Sequence, residues 1–381
     1  MPPRWLARLA AAWGRVPGQR EARPAPVGTR SAYFRLRTSG LVHAVCGRRD
    51  EAVRDLSEAL RQHTDDASLT LVLGHLRRLQ GQFDRAIRLH RMLLLRPDLD
   101  RGTRVSALVA AALDHRTAGL LEQARQNAEE ALRLDPREPT ALDLLARLHE
   151  TLGDWRAALV IEERLFKVQP GRGRLTYAFL LYRIGCDYDE RQQAGRAARS
   201  LLRAIKAHDG VVPAYVRLGD LHHARGHTDR ALLYWERLLD RHPRHAYLVF
   251  ERLESLYPEL GLAGKLEEIC RRLAAADPGD WRSRVYLSER ATSRGDEPEA
   301  SRWGLEALEA SPRSLAAHRS YWRSAAPASS LPPRALRDFL KATSGAGDDP
   351  HRCTRCRYRA SELLWRCPQC HAWASFIEDR G

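Results

Sequence analysis

Four cysteines near the end of the chain are spaced for metal chemistry: Cys353-Thr354-Arg355-Cys356, ten residues, then Cys367-Pro368-Gln369-Cys370. Each C-x-x-C turn brings two thiolates to one point, and two such turns this close together can wrap a single ion in a tetrahedral sulfur cage. Four thiolates leave no open coordination position, so the ion would crosslink the chain rather than polarise a substrate. The donor set suits either metal, and the expected cofactor is one tetra-thiolate ion, iron or zinc. The other cysteines, Cys46, Cys186 and Cys270, are scattered over helical sequence, which fits a reducing compartment and not a secreted disulfide framework. Little else in the chain does chemistry. His149-Glu150 continues as Thr151-Leu152-Gly153 and so fails the H-E-x-x-H pattern, while Gly264-Lys265 runs into Leu266, not the hydroxyl residue of a phosphate-binding loop. His222, His223 and His227 are divided by the helix-ending Gly226 and are not read as a metal site. No enzyme and no small-molecule substrate are expected.

The elements that must position these cysteines follow from a repeat. Gly recurs five residues ahead of Ala: Gly47/Ala52, Gly81/Ala86, Gly119/Ala124, Gly153/Ala158, Gly226/Ala231 and Gly295/Ala300, with Gln192/Ala197 filling a missing beat. A proline closes the following segment at Pro97, Pro136, Pro170, Pro243, Pro278 and Pro312. Seven residues before each turn stands a small side chain, Gly40, Gly74, Ala112, Ala146, Gly185, Gly219 or Ser288, and only Glu254 departs from this. Two antiparallel helices explain the pattern. The small residue admits the partner helix, Gly makes the turn, Ala packs back, and Pro ends the second helix. The step of about 34 residues is that of the tetratricopeptide repeat.

The expected fold class is therefore all-α, a tetratricopeptide-repeat superhelical solenoid ending in a small rubredoxin-like, zinc-ribbon metal module. Eight repeats and a degenerate cap, whose second helix opens at Pro332-Pro333, are assigned to 31–343. A linker follows at 344–352 around Gly345-Ala346-Gly347-Asp348-Asp349-Pro350, then the metal module at 353–376. A module that small cannot hold itself together by burial alone, so the ion must supply much of its stability. Tyr358, Leu364, Trp365, Trp373 and Phe376 are read as its own small core or as its attachment to the last repeats. Stacked repeats also create a groove. Register places His75, Arg78, Arg116, Asp143, Arg147, Glu150, Tyr182, Asp220, His223 and Glu289 along it, a polar set of mixed sign that suits a polypeptide.

Charge is uneven. The formal net charge is +15, with only Lys167, Lys206, Lys265 and Lys341 among the lysines, so arginine carries nearly all of it and acidic partners or anionic surfaces are favoured. Residues 1–30 form a basic segment in which Trp5, Leu9 and Trp13 share one face of a short helix opposite Arg4, Arg8 and Arg15, a pattern able to lie in a membrane interface. No run reaches the roughly 18–20 apolar residues of a membrane span. A location in the cytoplasm, peripheral on an anionic membrane, is expected.

Two stretches carry a resemblance to a known family. One is Gly74-His75-Leu76-Arg77-Arg78-Leu79-Gln80-Gly81-Gln82-Phe83-Asp84-Arg85-Ala86-Ile87-Arg88-Leu89-His90. The other joins Cys353-Thr354-Arg355-Cys356-Arg357-Tyr358 to Trp365-Arg366-Cys367-Pro368-Gln369-Cys370-His371-Ala372-Trp373. Together they resemble the bacterial lipopolysaccharide assembly protein B family, tetratricopeptide proteins with a terminal rubredoxin-type module. The resemblance implies a cytoplasmic adaptor at the inner membrane that brings the deacetylase committing carbon to lipid A to a membrane AAA+ protease, with Cys353, Cys356, Cys367 and Cys370 as metal ligands. Two departures stand out. The family begins with a membrane anchor, whose place the 3–16 segment is expected to take, and the knuckle Gly is Arg357 here. That position calls for positive φ, which costs a residue with a side chain about 1 kcal/mol. The alternatives are a general tetratricopeptide scaffold with another protein client and, with less support, a nucleic-acid-binding zinc ribbon, to which Arg352, Arg355, Arg357, Arg359 and Arg366 would contribute.

Overall fold

The computed structural model of this chain describes residues 27–325 and 350–378. The segment bearing Trp5, Leu9 and Trp13, the Pro332-Pro333 helix and most of the linker lie outside the described residues. The chain divides into two compact units between Leu148 and His149.

Among the described residues the first unit stacks three helix pairs and most of a further helix. They are α1 (Val27–Val45) with α2 (Arg49–Gln62), α3 (Ala67–Leu79) with α4 (Phe83–Leu94), α5 (Arg101–Thr117) with α6 (Leu121–Leu134), and then α7 (Pro139–Thr151). Each pair turns through a glycine at positive φ: Gly47 at 77°, Gly81 at 76° and Gly119 at 78°. The small-residue rule has a steric basis, since a Cβ on Gly40 would lie 2.7 Å from the Leu56 side chain. One core cluster joins Tyr33, Val53, Leu56, Leu69, Leu73 and Leu76. Asp66 and Asp100 cap α3 and α5 by accepting the backbone N–H groups of Leu69 and Thr103, each at 3.0 Å.

The second unit continues with α8 (Trp155–Val168), α9 (Leu175–Glu190), α10 (Ala194–Ala207), α11 (Val212–His223) and α12 (Thr228–Arg241). Gln192 turns α9 into α10 at φ 59°, so the substitute for glycine adopts the glycine conformation. Next comes a 3₁₀ stretch, Pro243–Val249, leading into α13 (Phe250–Glu259) and α14 (Lys265–Ala276). This irregular start explains why Glu254 breaks the small-residue rule. The buried face of α13 falls on Phe250, Leu253, Leu256 and Tyr257 and passes Glu254 by. The helices α15 (Trp281–Arg294), α16 (Glu297–Ala310) and α17 (Leu315–Ala325) follow.

The metal module is a three-stranded antiparallel sheet in the order β2-β1-β3, made of β1 (His351–Cys353), β2 (Arg359–Ala360) and β3 (Phe376–Glu378). Cys353 pairs with Phe376 across β1 and β3, which fixes the first knuckle against the end of the chain.

Candidate metal centre and its docking surface

The four cysteine sulfurs converge within 4.8 Å of one another. Cys353 Sγ lies 3.6 Å from Cys370 Sγ, and Cys356 Sγ lies 3.5 Å from Cys367 Sγ. Bonds of about 2.3 Å at tetrahedral angles would set sulfurs about 3.8 Å apart, whereas a disulfide would bring them to about 2.05 Å. The spacing therefore fits one tetra-thiolate ion and not a pair of disulfides. Such an ion, once bound, supplies a crosslink between the two knuckles. Each knuckle turns back immediately after its second cysteine, Arg357 at φ 64° and His371 at φ 57°. In that conformation Arg357 N–H donates to the Cys353 carbonyl and His371 N–H to the Cys367 carbonyl, both at 2.9 Å. Ser375 Oγ stands 3.3 Å from Cys353 Sγ, and Cys353 and Cys367 are fully buried.

The aromatic residues of the module do more than form its core. Tyr358 and Phe376 pack edge to face inside it, at 6.4 Å. Trp373 instead stacks on Phe179 of α9, with centroids 4.8 Å apart and planes 13° off parallel, and donates its indole N–H to Glu150 at 3.1 Å. Arg366 lies over both Trp155 and Trp373 and pairs with Glu150 at 3.2 Å. Trp365 wedges between Phe179 and His245, whose protonation burial disfavours. At the other edge, Glu378 accepts from Trp281 Nε1 at 3.1 Å and from Arg282 at 2.9 Å, and Arg282 in turn covers Tyr247. The module thus docks on the repeats that hold Trp155, Phe179, His245 and Trp281, counted fourth, fifth, seventh and eighth along the chain. Of the aromatics expected to form the module's own core or its attachment to the last repeats, Tyr358 and Phe376 pack within the module, Trp365 meets His245, and Trp373 adds partners on α8 and α9.

The docking also places part of the expected groove set. Glu150 is only 5% exposed and is held by Trp373 and Arg366 of the module. In the first unit Arg78 is spent within the fold. It pairs with the buried Asp114 at 2.6 Å, the same carboxylate that holds the fully buried His90 at 2.5 Å, and it lies 2.5 Å from His75. Asp143 and Arg147 pair with each other at 2.7 Å, beside Arg116, whose guanidinium burial and the Arg147 charge both disfavour. His223 and Glu289 are exposed. Tyr182 and Asp220 open on one cavity.

Sequence reasoning passed over Trp155, Phe179, His245, Trp281 and Arg282, all of which receive the module. For Phe179 a signal existed. It stands three residues before Tyr182 on the same helix and extends the groove stripe by one turn. Likewise, the register that selects Asp220 and His223 also selects Val216, an apolar side chain left out of a polar list.

Comparison with known proteins agrees with this geometry. Residues 351–378 match the rubredoxin metal binding domain, and residues 40–98, 109–166, 182–246 and 216–280 match the tetratricopeptide repeat. The chain is similar to lipopolysaccharide assembly protein B of Escherichia coli K12, 23% identical over 99% of this chain and 97% of that protein. It is likewise similar to the protein of that name from Haemophilus influenzae, 25% identical over 97% and 96%. A tetratricopeptide repeat protein of Parabacteroides merdae is among the similar solved structures, with a TM-score of 0.38 at 15% identity over 77% of this chain and 99% of that one.

Proposed function

We propose that this chain, which belongs to the tetratricopeptide repeat family, is a non-enzymatic adaptor that binds proteins in the assembly of lipopolysaccharide. The observation that carries the reading is the joining of two parts, helical repeats and a tetra-thiolate module docked on them, in one chain that spans 97% of the Escherichia coli relative. A closed sulfur cage supports a structural ion, iron or zinc, over a catalytic one. Mixed-sign polar side chains at repeat register support a polypeptide client. Arg116, Arg147, Tyr182, Asp220, His223 and Glu289 are the proposed contacts, with His75 at their margin.

In its finer form, the adaptor presents the deacetylase that commits carbon to lipid A to a membrane AAA+ protease and so limits lipopolysaccharide synthesis. It would work on the cytoplasmic face of the inner membrane. Among the described residues no helix is long and apolar enough to cross a membrane, and the proposed membrane contact is made by Trp5, Leu9 and Trp13. The test is the half-life of the deacetylase in the native host after synthesis is stopped. Depleting this chain should lengthen it several-fold, and restoring the chain should shorten it again. An unchanged half-life would remove the deacetylase as client.

A further inference from the structure

We propose that the cavity between the repeats and the metal module of the second unit is a binding subsite for a polypeptide presenting one apolar side chain beside an acidic one. The inference rests on the adaptor reading and names the chemistry of the partner. The cavity holds about 290 Å³, with Tyr182, Pro213, Val216, Leu248 and Trp365 as its apolar walls. Pockets for drug-sized ligands run from roughly 300 to 1,000 Å³, so this one, at the lower end, has room for a side chain and its neighbours.

The charges at its rim choose the partner's sign. Asp220 and Arg252 neutralise each other through two bonds, Nε to Oδ1 at 2.5 Å and a terminal nitrogen to Oδ2 at 2.9 Å. Arg252 also donates to the Leu248 carbonyl at 3.0 Å, so its guanidinium is largely used. Arg217 differs. Its ion pair is with Asp189 at 2.7 Å, through one terminal nitrogen, and its side chain remains 44% exposed. A guanidinium carries five donors in a fixed fork, so Arg217 keeps donors for a carboxylate arriving with the apolar side chain. A chain of net charge +15 also steers acidic segments toward itself.

Trp365 links this subsite to the metal. It stands two residues before Cys367, and its carbonyl accepts the Ala374 N–H at 2.8 Å, so the second knuckle holds the wall in place. The repeats and the module thus share the lining of the cavity.

The test uses full-length, metal-loaded protein and ¹⁹F NMR of a heptapeptide with 4-fluorophenylalanine between two glutamates in a glycine–serine background. A second peptide carries lysines in place of the glutamates. The wild-type protein should broaden the glutamate peptide more strongly than the lysine peptide. Arg217→Glu should weaken the glutamate peptide at least fivefold and reverse the preference, an outcome that misfolding cannot produce. Trp365→Leu should weaken both peptides about tenfold while the bound metal stays at one ion per chain. No broadening by the wild type, or a preference that Arg217→Glu leaves untouched, overturns the subsite. A client recovered from the native host that binds wild type and both variants equally overturns the subsite and leaves the adaptor reading standing. A wild-type chain that retains no client removes both.

Discussion

Arg357 occupies a left-handed turn, at φ 64°, where a glycine would sit without strain. The strain was legible in the sequence, because a C-x-x-C knuckle must fold back after its second cysteine. Replacing Arg357 with Gly should stabilise the module by about 1 kcal/mol, read as slower metal loss to a chelator; equal or faster loss would show that the arginine side chain holds the knuckle in another way. The ligands themselves give a sharper expectation. Elemental analysis of anaerobically purified protein should find about one iron or zinc per chain, and Cys367→Ser should remove most of it. A chain that folds as described and holds no metal would contradict the site. The buried network of the first unit was not legible, since Asp114 lies off the groove register and nothing local pairs it with His90 and Arg78. Next to it, burial and then the Arg78 charge push the His75 imidazole down to about 4, below its ordinary 6.5. A depressed histidine takes up its proton more readily in the unfolded chain, so the stability it contributes is present above pH 6.5 and lost as pH falls toward 4. The urea midpoint should therefore drop over that window, and His75→Gln should flatten the drop. An identical pH profile in that variant would assign it to other groups.

At the scale of the helices, the Gly, Ala and small-residue positions name their own contacts. Ala231 is fully buried in a cluster with Trp235, Leu238 and Leu253, and a Cβ on Gly219 would run into the Trp235 indole. Ala231→Leu should overfill that space and cost roughly 1–3 kcal/mol in thermal unfolding, whereas Trp235→Ala should leave a cavity and cost roughly 3–5 kcal/mol. An unchanged midpoint for Ala231→Leu would contradict the helix register. Such features are legible because helix and turn are decided within one repeat of sequence. The seventh repeat was less so. Its first helix begins as a 3₁₀ stretch at Pro243, and the shift of its buried face appears in the sequence only as the misfit of Glu254. Least legible was the seat of the metal module. Trp373 reaches Glu150 across 223 positions of sequence, and no periodicity links two residues so far apart.

Seen as a whole, the chain joins a tetratricopeptide array to a four-cysteine module whose sulfurs are spaced for one ion. The repeats of the second unit receive Trp365 and Trp373 and, with Trp365, line the cavity beside Arg217. Stripping the metal should release both indoles, so hydrogen exchange in α8 and α9 should rise along with that in the module. Exchange confined to 350–378 would mean that the docking survives without the ion. At the other end, residues 3–16 should give reversible binding to anionic vesicles, lost at high salt and on deletion of residues 1–20, because each arginine adds only about 1 kcal/mol near such a surface. Flotation with neutral vesicles as well, or persistence after the deletion, would contradict an electrostatic contact. The central claim is that this chain holds other proteins together, and the most direct measurement is quantitative affinity purification of the full-length chain from its native host under reducing conditions. The account predicts that the lipid A deacetylase and the membrane AAA+ protease are retained together, and that Cys367→Ser loses them. Retention of neither protein by the metal-loaded wild type would contradict it.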